Sequence, residues 1–128
     1  MYIIGKNQLP LIVGILIFDQ VEVLDVAGPF EVFAVTHLNE ERRQEEPSPF
    51  RVLLVAENKD QVSAIGGLRF TPDVTKDNCP ELDLLIVPGG MGTRTQVKNA
   101  NLLKWIWIDW DFKTKLTVSV LTFLSKKN

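Results

Sequence analysis

Between Leu82 and Arg94, an uninterrupted apolar run is followed by a proline and three glycines. Leu84 to Val87 lacks the polar alternation of a half-exposed strand, which predicts a strand of a parallel sheet covered on both faces. The proline removes a donor from the strand ladder, and the glycines permit a sharp turn or a close approach to the backbone. Ligands of open α/β sheets bind just beyond the carboxyl ends of the strands. We therefore expect a site at residues 88–92, called here the glycine loop.

Composition narrows the class of protein. A chain of 128 residues with 45% hydrophobic and 23% charged residues is typical of one globular domain over residues 1–128, with residues 1–10 as a leader arm. The net charge of −2 gives no reason to expect a nucleic acid or a membrane as partner. The apolar runs are too short to span a bilayer, so the expected location is cytoplasmic. The single cysteine, Cys79, excludes an internal disulfide and fits a reducing compartment.

Strand signals recur along the chain. Leu11 to Phe18 and Phe50 to Ala56 are predicted strands, and Leu116 to Val120 is another. Val62 to Thr71 predicts a hairpin around Gly66-Gly67, followed by a loop from Thr71 to Pro80.

Two helices are predicted between these strands. A loop from Asp19 to Ala27 leads to a helix that opens at Gly28-Pro29, with Pro29 at the first helical position and Asn39 to Pro49 as a loop after it. The apolar face predicted for this helix comprises Phe30, Phe33, Ala34, His37 and Leu38.

Asn99 is the predicted cap of the second helix. The apolar stripe predicted for that helix comprises Leu102, Leu103, Ile106 and Trp110. Trp105 and Ile108 fall outside it, as a second buried face or a surface for a partner. The alternation of strands and helices predicts a flavodoxin-like, doubly wound α/β fold with a mostly parallel sheet.

Several spaced motifs resemble one family. They are Val13-Gly-Ile-Leu-Ile-Phe18, Val23-Leu-Asp-Val-Ala-Gly-Pro29 leading into Phe33, Leu85-Ile-Val-Pro-Gly-Gly-Met-Gly-Thr-Arg94, Leu103-Lys-Trp-Ile106 and Val118-Ser-Val120. In this order they resemble the DJ-1/PfpI (ThiJ) family of the class I glutamine amidotransferase-like superfamily. The similar branch includes isonitrile hydratase and the amidase-like domains of AraC-type regulators.

The resemblance implies roles for particular residues. Asp25 matches the site acid that points at the family's cysteine nucleophile, and the N–H groups of Gly89 and Gly90 match the oxyanion hole. The nucleophile elbow of this branch reads Ser-Val-Cys-Thr-Gly, whereas here Ser119-Val120 is followed by Leu121, Thr122 and Phe123. Leucine supplies no thiolate, so the cysteine-dependent chemistry of the family is not expected of the chain as given.

Three hypotheses follow from this departure. The chain is an inactive relative of isonitrile hydratase-like or amidase-like enzymes, a small-molecule-binding or regulatory module, or a fragment truncated or frameshifted at the elbow. The resemblance also implies a small-molecule ligand or substrate, a homodimer, and no cofactor.

Simpler interpretations stand beside these roles. Asp25 could bond a nearby backbone N–H at a helix entry, and Gly89-Gly90 could form a plain turn. The glycine spacing does not fit a nucleotide-binding loop. Arg94 is a candidate ligand for a carboxylate or a solvated surface residue.

The sequence gives little reason to assign a catalytic role to the other reactive side chains, Cys79 and His37. Cys79 precedes Pro80 in a loop before the strand, so we expect a structural or incidental thiol there and not a nucleophile. His37 is expected to be a satisfied, partly buried residue. The sequence shows no metal-ligand spacing.

Overall fold

A five-stranded sheet organises the computed structural model, which describes residues 9–111 and 117–119. Its strands lie in the order β5-β2-β1-β6-β7, and every neighbouring pair is parallel. The sheet strands are β1 (Leu11–Leu16), β2 (Phe50–Ala56), β5 (Val74–Thr75), β6 (Leu84–Val87) and β7 (Thr117–Ser119). The helices are α1 (Val23–Ala34), α2 (Thr93–Gln96) and α3 (Ala100–Lys104). The predicted flavodoxin-like α/β fold is confirmed.

The central strands are buried on both faces, as their unbroken apolar runs predict. Ile15 of β1, Val55 of β2 and Leu85 of β6 have no exposed surface. β1 pairs with β2 over six residues and with β6 over three, so it lies in the middle of the sheet. Gly14 of β1 leaves room for Leu82, because a Cβ on Gly14 would lie 2.6 Å from the Leu82 Cδ1.

The strand order determines which connections cover which face. α1 connects β1 to β2 in one direction across the sheet, whereas residues 76–83, the β5–β6 crossover, run from β5 past β2 and β1 to β6. α2 and α3 connect β6 to β7 in this second direction. Because parallel crossovers are right-handed, α1 lies on one face, and the β5–β6 crossover, α2 and α3 lie on the other.

α1 begins at Val23, six residues before Pro29, the first helical position that the sequence predicted. The expected loop up to Ala27 is wrong, since the helix starts at Val23 and contains Pro29 in its interior. The N–H of Glu22, the N-cap residue, donates to the Gly89 carbonyl. This cap comes from a distant loop and is invisible in the local sequence.

The predicted apolar face of α1 is also wrong. The helix ends at Ala34, so His37 and Leu38 lie beyond it, and Phe30 is 40% exposed. Phe33 does pack inward, with its ring 4.9 Å from that of Phe50 in an edge-to-face arrangement. Val26 is the buried residue of the helix.

The smaller elements agree with the sequence in part. The hairpin around Gly66-Gly67 is confirmed as β3 (Val62–Ser63) paired antiparallel with β4 (Arg69–Phe70). The expected loop from Thr71 to Pro80 contains β5, and the one from Asn39 to Pro49 contains a 3-10 turn, Glu40–Arg42. The last predicted strand is present at β7. Within the described ranges, no helix is long and apolar enough to cross a membrane.

The second predicted helix is α3 followed by a π-helical turn, Trp105–Asp109. Its cap is confirmed, since the Asn99 Oδ1 accepts a hydrogen bond from the Leu102 N–H at 3.2 Å. Trp105 is buried, in agreement with a second buried face, whereas Ile108 is 67% exposed.

Candidate functional site

Two segments meet where β1 and β6 end. Residues 19–22, called here the β1 turn, lie against the glycine loop through an isolated antiparallel bridge between Val21 and Gly90. The Gly92 N–H donates to the Gln20 carbonyl at 3.1 Å, which adds a second connection between the two segments. The predicted site loop is therefore fixed at the carboxyl edge of the sheet, next to the end of the central strand.

Gly90 is required by this close approach. Its φ is +131°, a conformation that residues with a side chain rarely adopt. A Cβ there would overlap the Gln20 carbonyl oxygen and would lie 2.6 Å from the Glu22 nitrogen. The glycine loop is thus shaped by contact with the β1 turn and is not simply a flexible connection.

The peptide groups of Gly89 tie the glycine loop to the first turn of α1. The Gly89 carbonyl accepts from the Glu22 N–H at 2.9 Å, and the Gly89 N–H donates to the Asp25 Oδ2 at 3.1 Å. Glu22 is the N-cap and Asp25 the third helical residue, the two positions that bond each other in a capping box. Here the Gly89 backbone lies between them and bonds to both.

Thr93 is a site residue that the sequence reasoning missed. It is the one buried polar residue among those described, with 8% of its surface exposed. Its hydroxyl donates to the Gly90 carbonyl at 2.8 Å, and its N–H donates to the same oxygen at 3.2 Å. A threonine three residues after a glycine turn was the available signal, because short polar side chains commonly bond the preceding turn.

The two N–H groups expected to face a ligand differ in their bonding. The Gly89 N–H is bonded to Asp25, whereas the Gly90 N–H donates to no acceptor in the part of the chain that the structure describes. Asp25 itself is half-buried, and its bond to Gly89 uses only Oδ2. The arrangement therefore offers a fixed carboxylate and one backbone donor.

Among the residues that the structure describes, no further predicted side chain joins this arrangement. Arg94 is exposed on α2. Leu121 and Thr122 lie outside the described residues. His37 differs from the expected satisfied histidine, because its buried Nδ1 has no hydrogen-bond partner among the described residues.

Cys79 does not belong to the site. It lies on the β5–β6 crossover, which covers the sheet face opposite α1 and Asp25. The thiol is half-buried, and desolvation raises its pKa to about 11. It is therefore a protonated thiol at neutral pH. Over residues 9–111, no group of three or more histidine, cysteine or acidic side chains is placed to hold a metal ion.

A separate crevice of about 180 Å³ opens at the same edge of the sheet, on the side of α3. Its floor includes Ile17 and Leu102, and Asp19, Glu57 and Gln96 line its rim. The Glu57 carboxylate is held by the Asn99 side-chain amide at 2.7 Å. The crevice thus lies on the α3 side of the β1 turn, whereas Asp25 lies on the α1 side.

Comparison of the sequence with models of known families identifies the family of this chain. The family model described as "DJ-1/PfpI family" matches residues 12–115, which include most of β1 and all of α1, the glycine loop and α3. The chain belongs to the DJ-1/PfpI family. The resemblance drawn from the spaced motifs is confirmed, while the individual roles of Asp25, Gly89 and Gly90 stay predictions.

Relatives within the DJ-1/PfpI family include an enzyme and a regulator. Isonitrile hydratase of Pseudomonas putida is 32% identical over 94 residues, which cover 73% of this chain and 36% of the relative. The HTH-type transcriptional regulator GbdR of Pseudomonas aeruginosa is 29% identical over 92 residues, which cover 72% of this chain and 24% of the regulator. This chain therefore corresponds to well under half of each of these proteins.

Solved structures share the fold. A ThiJ/PfpI family protein from Pseudomonas syringae superposes with a TM-score of 0.72 at 25% identity, over 95% of this chain and 49% of that one. Drosophila melanogaster DJ-1beta superposes with a TM-score of 0.64 at 13% identity, over 85% of this chain and 54% of that one. The second likeness concerns the fold alone.

Proposed function

We propose that this chain is a small-molecule-binding member of the DJ-1/PfpI family without thiol-dependent chemistry. Its ligand would contact Asp25 and the glycine loop at the carboxyl edge of the sheet. The match to this chain lies in both an enzyme, isonitrile hydratase, and a transcriptional regulator, GbdR, so the shared region is not confined to enzymes.

The position of the only thiol carries this proposal. Cysteine catalysis in proteins requires a thiolate next to the reacting carbon. Cys79 has a pKa raised to about 11 and lies on the face of the sheet away from Asp25, and the elbow position is occupied by Leu121. The chain therefore lacks a nucleophile where the family chemistry needs one.

The hydrogen-bonding groups of Asp25 and Gly90 support a ligand-binding function. Asp25 and the Gly90 N–H form an acceptor and a donor on one rigid edge, which suits a small ligand with both kinds of group. Because Gly89 fixes one carboxylate oxygen, Asp25 requires no reorganisation to accept a second hydrogen bond.

The test uses cyclohexyl isonitrile and cyclohexyl formamide, the substrate and product of a hydration, as probes. We expect no formamide to form from the isonitrile, and saturable binding of at least one probe by calorimetry. Asp25→Ala should weaken that binding at least tenfold. The matched control Asp60→Ala, an exposed loop residue, should leave it unchanged.

Two results would contradict the proposal. Formamide production that disappears in Cys79→Ser would restore the enzyme hypothesis. Equal affinity of the probe for the parent chain and for Asp25→Ala would show that the ligand does not bind at Asp25.

We also propose that the chain forms a homodimer in the cytoplasm. Exposed apolar side chains of α1, including Leu24 at 73% and Val32 at 62%, support an interface between copies. Light scattering should give twice the chain mass, and Leu24→Asp should give the monomer. A parent chain that stays monomeric at high concentration would refute the proposed homodimer.

The hypothesis of a truncated or frameshifted fragment rests on Leu121 and Phe123, which replace the cysteine and glycine of the family's elbow. Sequencing the coding DNA and transcript across these codons tests it. A one- or two-base correction that restores Cys-Thr-Gly would support the enzyme hypothesis, whereas confirmation of leucine supports the binding module.

A further inference from the structure

The segment formed by α3 and the π-helical turn has apolar residues on two faces. Its inward face is buried in the core and comprises Leu102, Trp105, Ile106 and Trp110. Its outward face carries Ile108, which is 67% exposed, together with the accessible edges of Leu103 and Trp107, two half-buried residues that also pack against the core. A surface helix needs one apolar face for the core, so the second face calls for its own explanation.

This outward face is concave. Val97, at the end of α2, stands beside α3 and is 40% exposed. Val97 and the outward face of α3 and the π-helical turn border a groove of about 360 Å³, called here the lysine-flanked groove. Its lining includes Val97, Lys98, Leu103, Lys104, Trp107 and Ile108. Volumes of roughly 300–1,000 Å³ with aliphatic and aromatic walls and few polar groups are typical of small-molecule sites.

The charge of the lysine-flanked groove is of one sign. Lys98 and Lys104 are both exposed, and no acidic side chain within residues 9–111 lines the groove. Among the described residues, neither ammonium group forms an ion pair. Two unpaired cations beside an apolar surface favour a ligand that brings a negative charge together with a hydrocarbon body.

We propose that the lysine-flanked groove binds an apolar carboxylate, a small molecule with an aliphatic or aromatic body and one carboxylate group. The body packs on Trp107 and Ile108, and the carboxylate lies between the two ammonium groups. A second copy of the chain fits less well, because pairing groove to groove would bring four lysines together without a counter-charge.

The test compares three probes with the same tail: decanoate, 1-decanol and decyltrimethylammonium, each below its micelle concentration. Calorimetry should show saturable binding of one decanoate per chain, with at least tenfold weaker binding of the alcohol and the cation. The Trp107 indole signal should shift with decanoate in NMR spectra. Reversal of charge in Lys98→Glu or Lys104→Glu should weaken decanoate binding by roughly fivefold each.

Matched variants separate the groove from general surface effects. Ile108→Ser should weaken decanoate binding at least tenfold, whereas Leu68→Ser, at a residue 51% exposed on the hairpin, should not change it. Lys59→Glu makes the same change of charge at an exposed lysine that does not line the groove, and it should also leave affinity unaltered.

Three results would overturn the proposal. One is binding of decyltrimethylammonium as tight as that of decanoate, and another is equal decanoate binding in Ile108→Ser and Leu68→Ser. The third is a concentration-dependent dimer that is lost in Ile108→Ser alone, which would assign the groove to a second copy of the chain.

Discussion

Replacing Gly90 by alanine tests how tightly the glycine loop is held against the β1 turn. The added Cβ would overlap the Gln20 carbonyl oxygen and would lie 2.6 Å from the Glu22 nitrogen and 2.9 Å from the Val21 carbonyl carbon. All three atoms belong to the backbone, so no side chain can rotate away. The glycine loop must instead separate from the β1 turn.

Two terms contribute to the expected loss of stability. Holding a residue other than glycine at a φ of +131° costs about 1–3 kcal/mol. The overlap adds about 1–3 kcal/mol, as other overpacked sites do. We therefore expect Gly90→Ala to lower the free energy of unfolding by roughly 2–6 kcal/mol, a large part of the ~5–15 kcal/mol of a typical domain.

Urea unfolding followed by tryptophan fluorescence measures this loss. With an m-value of about 1–2 kcal/mol/M, the midpoint should fall by roughly 1–6 M. The matched control is Gly28→Ala, because a Cβ on Gly28 of α1 would meet no atom within 4 Å. That change should raise stability by about 0.5–1 kcal/mol, as glycine is a poor helix former. Equal midpoints for Gly90→Ala and the parent chain would refute the reasoning.

Three further predictions concern single contacts. Asp25→Ala should lower the free energy of unfolding, measured in urea, by about 1–2 kcal/mol, because the Gly89 N–H loses its acceptor. Asp25→Asn keeps a side-chain oxygen and should recover most of this loss. Equal losses in the two variants would contradict the role of the hydrogen bond. Since the folded-state pKa of Cys79 is raised from 9.0 to about 11, its contribution to stability is present below pH 9 and is lost as the pH rises towards 11. Cys79→Ser should therefore flatten the pH dependence of the urea midpoint between pH 9 and 11, and an unchanged slope would argue against a buried thiol. Asn99→Ala should lower stability by about 1 kcal/mol through loss of the α3 cap, whereas the exposed neighbour Asn101→Ala should stay within about 0.5 kcal/mol of the parent chain.

The central strands and one helix cap could be predicted from the sequence. β1, β2 and β6 are continuous apolar runs, and a strand buried on both faces leaves that signature in the sequence itself. Asn99 bonds an N–H only three residues away, so its role is also a local property. The position of the glycine loop followed from the end of β6 together with the rule for parallel sheets.

The errors concern features that depend on distant contacts. The start of α1 was misplaced because its cap is provided by Gly89, in a loop 64 residues from Asp25. β5 has only two residues, and it exists because β2 offers a free edge to pair with. Phe30, which is 40% exposed, was predicted on the same apolar face as the inward-packing Phe33, because periodicity indicates the presence of a face and not the direction in which each residue points.

The insertion of the Gly89 backbone between the N-cap and the third residue of α1 has a consequence for folding. The first turn of α1 can form all of its hydrogen bonds only after β6 has joined β1 and has carried the glycine loop to the edge of the sheet. α1 precedes β6 in the chain, yet its first turn must wait for a strand that follows more than fifty residues later, so closure of that long loop comes before completion of the helix. The two residues that bond Gly89 therefore make the order of assembly differ from the order of the sequence.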